Sequence, residues 1–266
     1  MPGPESPSSQ IYLPESQSEY AGYVAWRGAI IESEVSLETR QIFNKGITLH
    51  LMKHHHCVVY TIPGPKGSTK PGERLLNFLW YTNEDEASLR EIMVDAIDGH
   101  RHHKTVPAGH VRPKVWAARV NRAQRDFSLP PPWNEVISKI HEPFIQAISH
   151  HNSPQVSFED GKVLLVGDAL AQFCPHTGLS SAQAAFHTAQ VVEYAAGRIS
   201  LWQYEEEVMG YSYIYWLQSV YWGRFYQADV LTAVGHGLYY WGTVGLEKVG
   251  NWWRGRRSTI VIEFQL

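Results

Sequence analysis

The stretch that decides the fold prediction is GKVLLVGDALAQFCPHTG, residues 161–178. Its first part, Lys162 to Val166, is a nearly continuous apolar run with β-branched residues, and Gly167 ends it. Such a run predicts a strand buried on both faces, as in the parallel part of an α/β sheet. Asp168 would then lie just past the carboxyl end of the strand, where open α/β sheets bind their ligands.

A helix is predicted after this strand, from Leu179 to Ala196, with Gly197 placed to end it. Apolar residues recur at helical spacing and predict its buried face: Ala182, Ala185, Phe186, Ala189 and Val192. The carboxylate of Asp168 can accept from sugar hydroxyls, while free N–H groups at the helix start face an anion. The pattern therefore favours a site for a polyhydroxylated or anionic ligand.

The same residues resemble the second flavin-binding motif of the FAD-dependent aromatic hydroxylases. The resemblance implies that Asp168 contacts the ribityl chain of FAD, and that the loop and the helix start lie near the isoalloxazine ring. The cofactor-binding residues so implied are Gly167, Asp168, Pro175, His176 and Gly178.

Upstream segments extend the resemblance over roughly residues 11–227. YAGYVAWRG (20–28) is similar to the strand that opens the substrate domain of the family. LLNFLWY (75–81) and the pair Pro175-His176 resemble the 2,6-dihydroxypyridine 3-monooxygenase-like branch. The fold class expected from this is α+β: the substrate-domain portion of the hydroxylase fold, with an orphaned strand, Gly-Asp, loop and helix.

The sequence departs from the family pattern in three places. The family begins with a βαβ unit carrying G-x-G-x-x-G, whose glycines let the backbone approach the pyrophosphate, and these 266 residues contain no such motif. Ser180 stands where the family usually has a second glycine, and His187 where it usually has an acidic residue. We therefore expect a truncated chain with FAD as its ancestral cofactor, purifying with little or no FAD.

Composition excludes several classes of function. A formal net charge of −3 gives no reason to expect nucleic acid or an anionic membrane as a partner. Two cysteines are too few for a disulfide framework, and the N-terminus lacks a secretory signal. These features predict a cytoplasmic protein.

The aromatic residues, 10 Trp and 14 Tyr, concentrate after Trp202. Residues 208–223 carry no charge but are fewer than the roughly 20 that a span needs, so an aromatic-rich helix and no stable membrane insertion are predicted. Residues 230–246 contain four glycines, which argue against a stable helix.

An antiparallel sheet of about five strands is expected to form the floor of a substrate pocket. Its strands are predicted at 20–32, 47–52, 57–62 and 74–81, with a further strand at 163–166 at its side. Helices are predicted at 36–43, capped by Ser36, at 84–97, capped by Asn83, and at 135–148, bent near Pro143, whereas 106–133 is predicted to be largely loop with room for one short helix.

Four domains follow from these patterns. Residues 1–18 form a flexible lead-in, 19–160 the substrate-binding domain, and 161–232 the residual FAD-binding motif with C-terminal helices. Residues 233–266 are an unassigned tail in which 258–264 could be a lone strand.

The sequence also raises the questions of a metal site and of a reactive cysteine. Two groups of histidines suggest a metal site: His54 to His56, and His100, His102 and His103. Three consecutive strand residues point to alternate faces and cannot all bind one ion, and no metal-ligand spacing accompanies either group. No metal site is therefore predicted. Cys174 is interpreted as a buried inert thiol, because a nucleophilic cysteine needs a base and a lowered pKa.

The first functional hypothesis is an FAD-dependent monooxygenase that hydroxylates an aromatic or heteroaromatic substrate, with NAD(P)H as electron donor. Trp80, Tyr81 and the 47–62 hairpin would line the substrate pocket; no catalytic residue is identified. The alternative is a non-catalytic or repurposed aromatic-ligand-binding domain, complemented by a separate N-terminal FAD-binding chain. A fragment without a stable fold is the third hypothesis.

Overall fold

A computed structural model describes residues 11–126 and 129–253. The chain forms two compact units: Gly22–Ile148, and the residues up to Ala21 together with those from Ser149 onward. The first unit is built on an antiparallel sheet flanked by helices, so the predicted α+β class is confirmed. The functional domain boundaries predicted from sequence stay predictions.

The sheet has the strand order β2-β3-β4-β1-β6-β5. Its strands are β1 Glu19–Ile31, β2 Thr48–Met52, β3 His55–Ile62, β4 Leu75–Asn83, β5 Thr105–Val106 and β6 Phe144–Asn152. The pairs β1/β4, β2/β3 and β3/β4 are antiparallel. The predicted hairpin at 47–62 is confirmed.

Large aromatic side chains fill the core of the Gly22–Ile148 unit. Trp26 and Trp80 lie opposite each other in the β1/β4 register, and both are fully buried. The backbone at Gly28 lies against the Ile140 side chain, and a Cβ added at Gly28 would overlap Ile140 Cγ2. This strand position therefore requires the absence of a side chain.

Among the residues described in this unit, four α-helices accompany the sheet. They are α1 Leu37–Phe43, α2 Glu86–Ile92, α3 Pro113–Arg125 and α4 Pro131–Ser138. The predicted cap of α1 is confirmed, since the Ser36 hydroxyl accepts from the Thr39 N–H at 3.3 Å. For α2 the predicted cap was wrong: Asp85, and not Asn83, accepts from the Ser88 N–H at 2.7 Å, and the helix ends at Ile92.

The predicted helix at 135–148 is wrong. Residues 131–138 form helix α4, which starts earlier than predicted, has two prolines in its first turn and ends before Pro143, and residues 144–152 form strand β6. Proline fits the first turn of a helix, whereas Pro143 cannot continue one, and the β-branched residues after it favour a strand. A helix in 106–133 was expected, but α3 is longer than predicted and α4 also begins there, so the segment is less loop than expected.

In the described part of the other unit there are three long helices and three two-residue strands. The helices are α5 Ser180–Ala195, α6 Leu201–Gln227 and α7 Val230–Trp253; the strands are β7 Ser157–Phe158, β8 Val163–Leu164 and β9 Ala171–Gln172. The predicted helix after Gly178 and the predicted aromatic-rich helix at 208–223 are confirmed.

The predicted strand at 162–166 is shorter than expected and is not buried on both faces. Only Val163 and Leu164 are in strand conformation, both are half-buried, and they pair antiparallel with β7. Lys162 is exposed, and a 3-10 turn begins at Gly167. The backbone N–H and C=O groups of this short segment pair with β7, its antiparallel neighbour, and the expected parallel strand does not form.

The prediction that 230–246 would not form a stable helix was wrong. Helix α7 packs on α6, where Tyr240 and Val244 are buried against Ile214 and Leu217. The Tyr240 and Tyr221 rings stack at 5.9 Å. This packing overrides the low helix propensity of glycine.

Within the described residues, no helix is long and apolar enough to cross a membrane. The possible strand at 258–264 lies outside the residues that the structure describes.

Candidate functional site

The candidate site is the loop of residues 167–178, which we call the Gly-Asp loop. It opens with the 3-10 turn Gly167–Ala169, continues through β9, and closes with a second 3-10 turn, Pro175–Thr177. Gly167 has φ +58° and Gly178 has φ +66°. Both angles lie in the left-handed region that favours glycine, which explains these residues at the two ends of the loop.

A buried histidine holds the start of the Gly-Asp loop. The Gly167 N–H donates to His187 Nδ1 at 2.9 Å, and His187 Nε2 lies 3.0 Å from Ser212 Oγ. Because Nδ1 accepts, the neutral ring carries its proton on Nε2, which donates to Ser212. Burial lowers the pKa of His187 to about 4, so the ring is neutral at pH 7.

Two more buried side chains hold the rest of the loop. Gln183 Nε2 donates to the Ala171 carbonyl oxygen at 2.8 Å, and the Cys174 N–H donates to Ser219 Oγ at 3.1 Å. Gln183, His187 and Ser219 are all completely buried. These three anchoring side chains satisfy loop backbone groups that secondary structure does not pair.

The fully buried side chains of α5, Gln183 and His187, are polar, whereas Phe186, Val191 and Tyr194 are partly buried against the core. The predicted buried face is wrong for four of its five residues. Ala182, Ala185, Ala189 and Val192 are exposed, and Phe186 is partly buried. Sequence reasoning missed Gln183 and Ser219. The signal that could have found Gln183 is its place one turn before His187, because residues four apart share a helix face.

Asp168 lies at the exposed side of the first turn. Its carboxylate makes no hydrogen bond or ion pair within the described residues, and its side chain is exposed. Neighbouring atoms nevertheless displace water and raise the pKa of Asp168 above its ordinary value. The arrangement presents a carboxylate that is free to accept, on a turn whose backbone is fixed by His187.

The second turn of the loop carries the other predicted cofactor residues. Pro175 and Gly178 are exposed, whereas His176 is half-buried and lies 5.5 Å, between ring centroids, from Tyr226. Burial lowers the pKa of His176 to about 3, so its ring is neutral. Helix α5 follows directly and has no side-chain cap, which leaves N–H groups of its first turn available.

The predicted substrate residues lie in the other unit. Trp80 is fully buried, and its ring centroid is 6.3 Å from that of His55. Tyr81 is 4% exposed and stacks on His56 at 4.5 Å. As neighbours on β4 they project to opposite faces of the sheet. Their assignment to a substrate pocket stays a prediction.

Cys174 is buried, as interpreted from the sequence. Within the residues that the structure describes, no group of three or more His, Cys, Asp or Glu side chains could hold a metal ion.

Comparison with known proteins finds similarity to the family that the motif resembles. Residues 20–150 match a sequence-family model described as FAD binding domain-like. The 2,6-dihydroxypyridine 3-monooxygenase of Paenarthrobacter nicotinovorans is 28% identical over 202 residues, which are 73% of this chain and 49% of that enzyme.

Solved structures share the fold. The 2,6-dihydroxypyridine-3-hydroxylase of Arthrobacter nicotinovorans superposes with a TM-score of 0.75 at 25% identity, over 85% of this chain and 57% of that one. Klebsiella pneumoniae HpxO, solved with FAD and uric acid, matches with a TM-score of 0.57 at 14% identity, over 86% of this chain and 50% of that one.

The chain thus spans about half the length of the relatives that it matches. The predicted resemblance is confirmed: residues 20–150 match the FAD binding domain-like model, and the chain is similar, in sequence and fold, to the 2,6-dihydroxypyridine 3-monooxygenase-like branch of the FAD-dependent aromatic hydroxylases.

Proposed function

We propose that this chain provides the substrate domain and the ribityl-binding motif of an FAD-dependent monooxygenase that hydroxylates an aromatic or heteroaromatic compound. The observation that carries the proposal is the Gly-Asp loop: Asp168 is exposed and without a partner in the described residues, on a turn that the buried His187 fixes. A preorganised acceptor of this kind binds a polyol without first being reordered.

The residues present fit the flavin end of FAD. Asp168 would accept from ribityl hydroxyls, while Pro175, His176 and Gly178 would border the ring system. The uncapped start of α5 would face the anionic part of the cofactor. When bound, FAD supplies the oxygen chemistry, with NAD(P)H as the proposed electron donor.

The protein's own contribution would be orientation and exclusion of water. His176, in the second turn of the Gly-Asp loop, would present an uncharged ring to the flavin. Trp80, Tyr81 and the β2–β3 hairpin are proposed to shape the substrate pocket. Aromatic and heteroaromatic substrates are proposed because the relatives that match are named for them.

The pyrophosphate needs a second source of contacts. No G-x-G-x-x-G occurs in these 266 residues, and affinity for the pyrophosphate depends on such a loop. We propose that a separate FAD-binding chain carrying that motif completes the site. The protein alone would then bind flavin weakly.

Flavin titration of the wild type and three variants tests the proposal. Asp168→Ala removes a charge-assisted hydrogen bond and should weaken FAD binding by about 10- to 150-fold. Asp168→Asn should lose less, because the amide keeps one acceptor. Asp126→Asn, an exposed carboxylate in the other unit, is the matched control.

Binding is followed by quenching of flavin fluorescence, and circular dichroism verifies folding. Equal dissociation constants for well-folded wild type and Asp168→Ala would reduce Asp168 to a turn residue. NAD(P)H oxidation coupled to hydroxylated product, with the complementing chain added, tests the activity itself.

A further inference from the structure

A cavity of about 510 Å³ lies in the unit that contains the three long C-terminal-half helices, and no residue of the Gly-Asp loop lines it. We call it the Trp216 cavity. Its walls come from the 15–19 segment, the end of β6, α6 and α7; the aromatic and titratable members are Glu15, Glu19, His150, His151, Tyr213, Trp216, His236 and Tyr239.

One wall is a continuous aromatic surface. The His150 ring meets Trp216 edge-to-face at 5.7 Å, and Trp216 stacks with Tyr213 at 5.9 Å. The Tyr213 and Tyr239 hydroxyls are 2.7 Å apart. That hydrogen bond is the largest influence that raises the pKa of Tyr213 to about 12, so this phenol stays neutral. The wall offers π faces to a ligand.

His150 is the least expected part of this wall. It is 5% exposed, and neither ring nitrogen makes a hydrogen bond within the described residues. Burial lowers the pKa of His150, and Arg224 acts in the same direction while Glu19 opposes it. A neutral, buried ring with an unused acceptor facing a cavity is a group that a ligand can satisfy.

The charge at the cavity is negative. Glu15 and Glu19 are both exposed at its edge, and desolvation also lowers the pKa of His236, which favours the neutral ring. Arg224 influences His150 and His236 but is not part of the cavity wall. Carboxylates beside indole and phenol faces are the combination that recognises a cation.

We propose that the Trp216 cavity binds a small organic ammonium cation, with its charge against Glu15, Glu19 and the face of Trp216 and its N–H donating to His150. The chemistry is that of a protonated amine carrying a compact apolar or aromatic group. Such a site is independent of flavin binding, so it stands whether or not the Gly-Asp loop binds a cofactor.

Three probes of one shape test the charge: benzylamine, benzyl alcohol and benzoate, titrated into the full chain by ligand-observed NMR at pH 7.5. Benzylamine should bind tightest and benzoate weakest. Equal affinities, tightest binding of benzoate, or no binding of benzylamine would overturn the proposal.

Matched variants locate the site. The double variant Glu15→Gln/Glu19→Gln should lower the affinity for benzylamine by about 2- to 5-fold for each exposed charge removed. Its affinity for benzyl alcohol should not change. Trp216→Leu should lower the affinity for benzylamine by about 3- to 30-fold. Trp202→Leu, on the same helix but exposed and outside the cavity wall, is its control.

If Trp216→Leu does not fold, the double glutamate variant, whose substitutions are isosteric, is sufficient to test the proposal. Benzylamine affinity that is the same in wild type and in the double glutamate variant would overturn the proposal.

Discussion

The sheet unit and the Gly-Asp loop both bury apolar side chains, Leu170 and Phe173 among those of the loop, but they differ in the groups that pair with their backbone. In the sheet unit, apolar side chains such as Trp26 and Phe78 are fully buried, and the backbone pairs with itself along the strands. In the loop, the groups that fix the backbone are polar: Gln183, His187 and Ser219 bond to it directly. A region that must leave Asp168 exposed cannot be ordered by burial alone.

This difference teaches which region tolerates which change. Loss of volume should damage the sheet unit most, because close-packed cores relax only in part around a cavity. Loss of a hydrogen-bonding atom should damage the loop most, because the partner left behind is buried and unpaired. Variants in each region can break or sharpen this contrast.

The largest effect is expected in the sheet core. Trp26→Ala removes a fully buried ring whose Nε1 donates to Thr82 Oγ1 at 2.9 Å. We expect a loss of about 3–5 kcal/mol in the free energy of unfolding, measured by urea denaturation. Ile97→Ala, at a position 72% exposed, is the control and should change stability little. A Trp26→Ala protein as stable as the control would contradict an apolar core here.

The next effect concerns pH and His187. Its folded-state pKa of about 4 lies below the ordinary value of 6.5, so the unfolded chain binds the proton first as the pH falls. The stability linked to the neutral ring is fully present above pH 6.5 and is lost as the pH falls towards 4. The loss should be about 3 kcal/mol.

The comparison of wild type with His187→Gln isolates this contribution, because other buried histidines, such as His55 with a pKa of about 4, titrate in both proteins. Unfolding free energies at several pH values between 4 and 7 should give a steeper slope for the wild type. Parallel slopes would mean that His187 does not titrate as its burial requires.

A smaller effect is expected from the second anchoring side chain. Gln183→Leu leaves the Ala171 carbonyl without its donor and should cost about 1–3 kcal/mol. Val192→Ala, on the exposed face of the same helix, is the matched control. Amide hydrogen exchange should quicken within the loop in Gln183→Leu alone. Unchanged exchange there would show that Gln183 fills space and orders nothing.

Much of the sheet could be predicted from the sequence, because alternation of apolar residues in 20–32 and 74–81 reports burial on a pleated surface. The helix prediction for residues 135–148 was wrong, because their apolar spacing is typical of a helix while Pro143 and the β-branched residues after it favour a strand. Helix α7 could not be predicted, since its stability comes from packing against α6 and not from its own glycines.

The candidate site was predicted by motif and not by periodicity. Asp168 and the glycines at both ends of the loop were identified from the order of residue types, but the fixing of the loop was not. In the sequence His187 is only a departure from the family pattern, whereas in the structure it has a partner, the Gly167 N–H. Long-range hydrogen bonds of this kind leave no local pattern in a sequence.

The central claim is that Asp168 recognises the ribityl chain of a flavin, and a binding cycle tests it most directly. Riboflavin and lumiflavin share the ring system, but only riboflavin carries the ribityl hydroxyls. Dissociation constants of both are measured, by fluorescence quenching, for wild type and Asp168→Ala. For the wild type, we expect riboflavin to bind about 10-fold more tightly than lumiflavin. In Asp168→Ala that preference should disappear; the same preference in both proteins, or none in the wild type, would contradict the account.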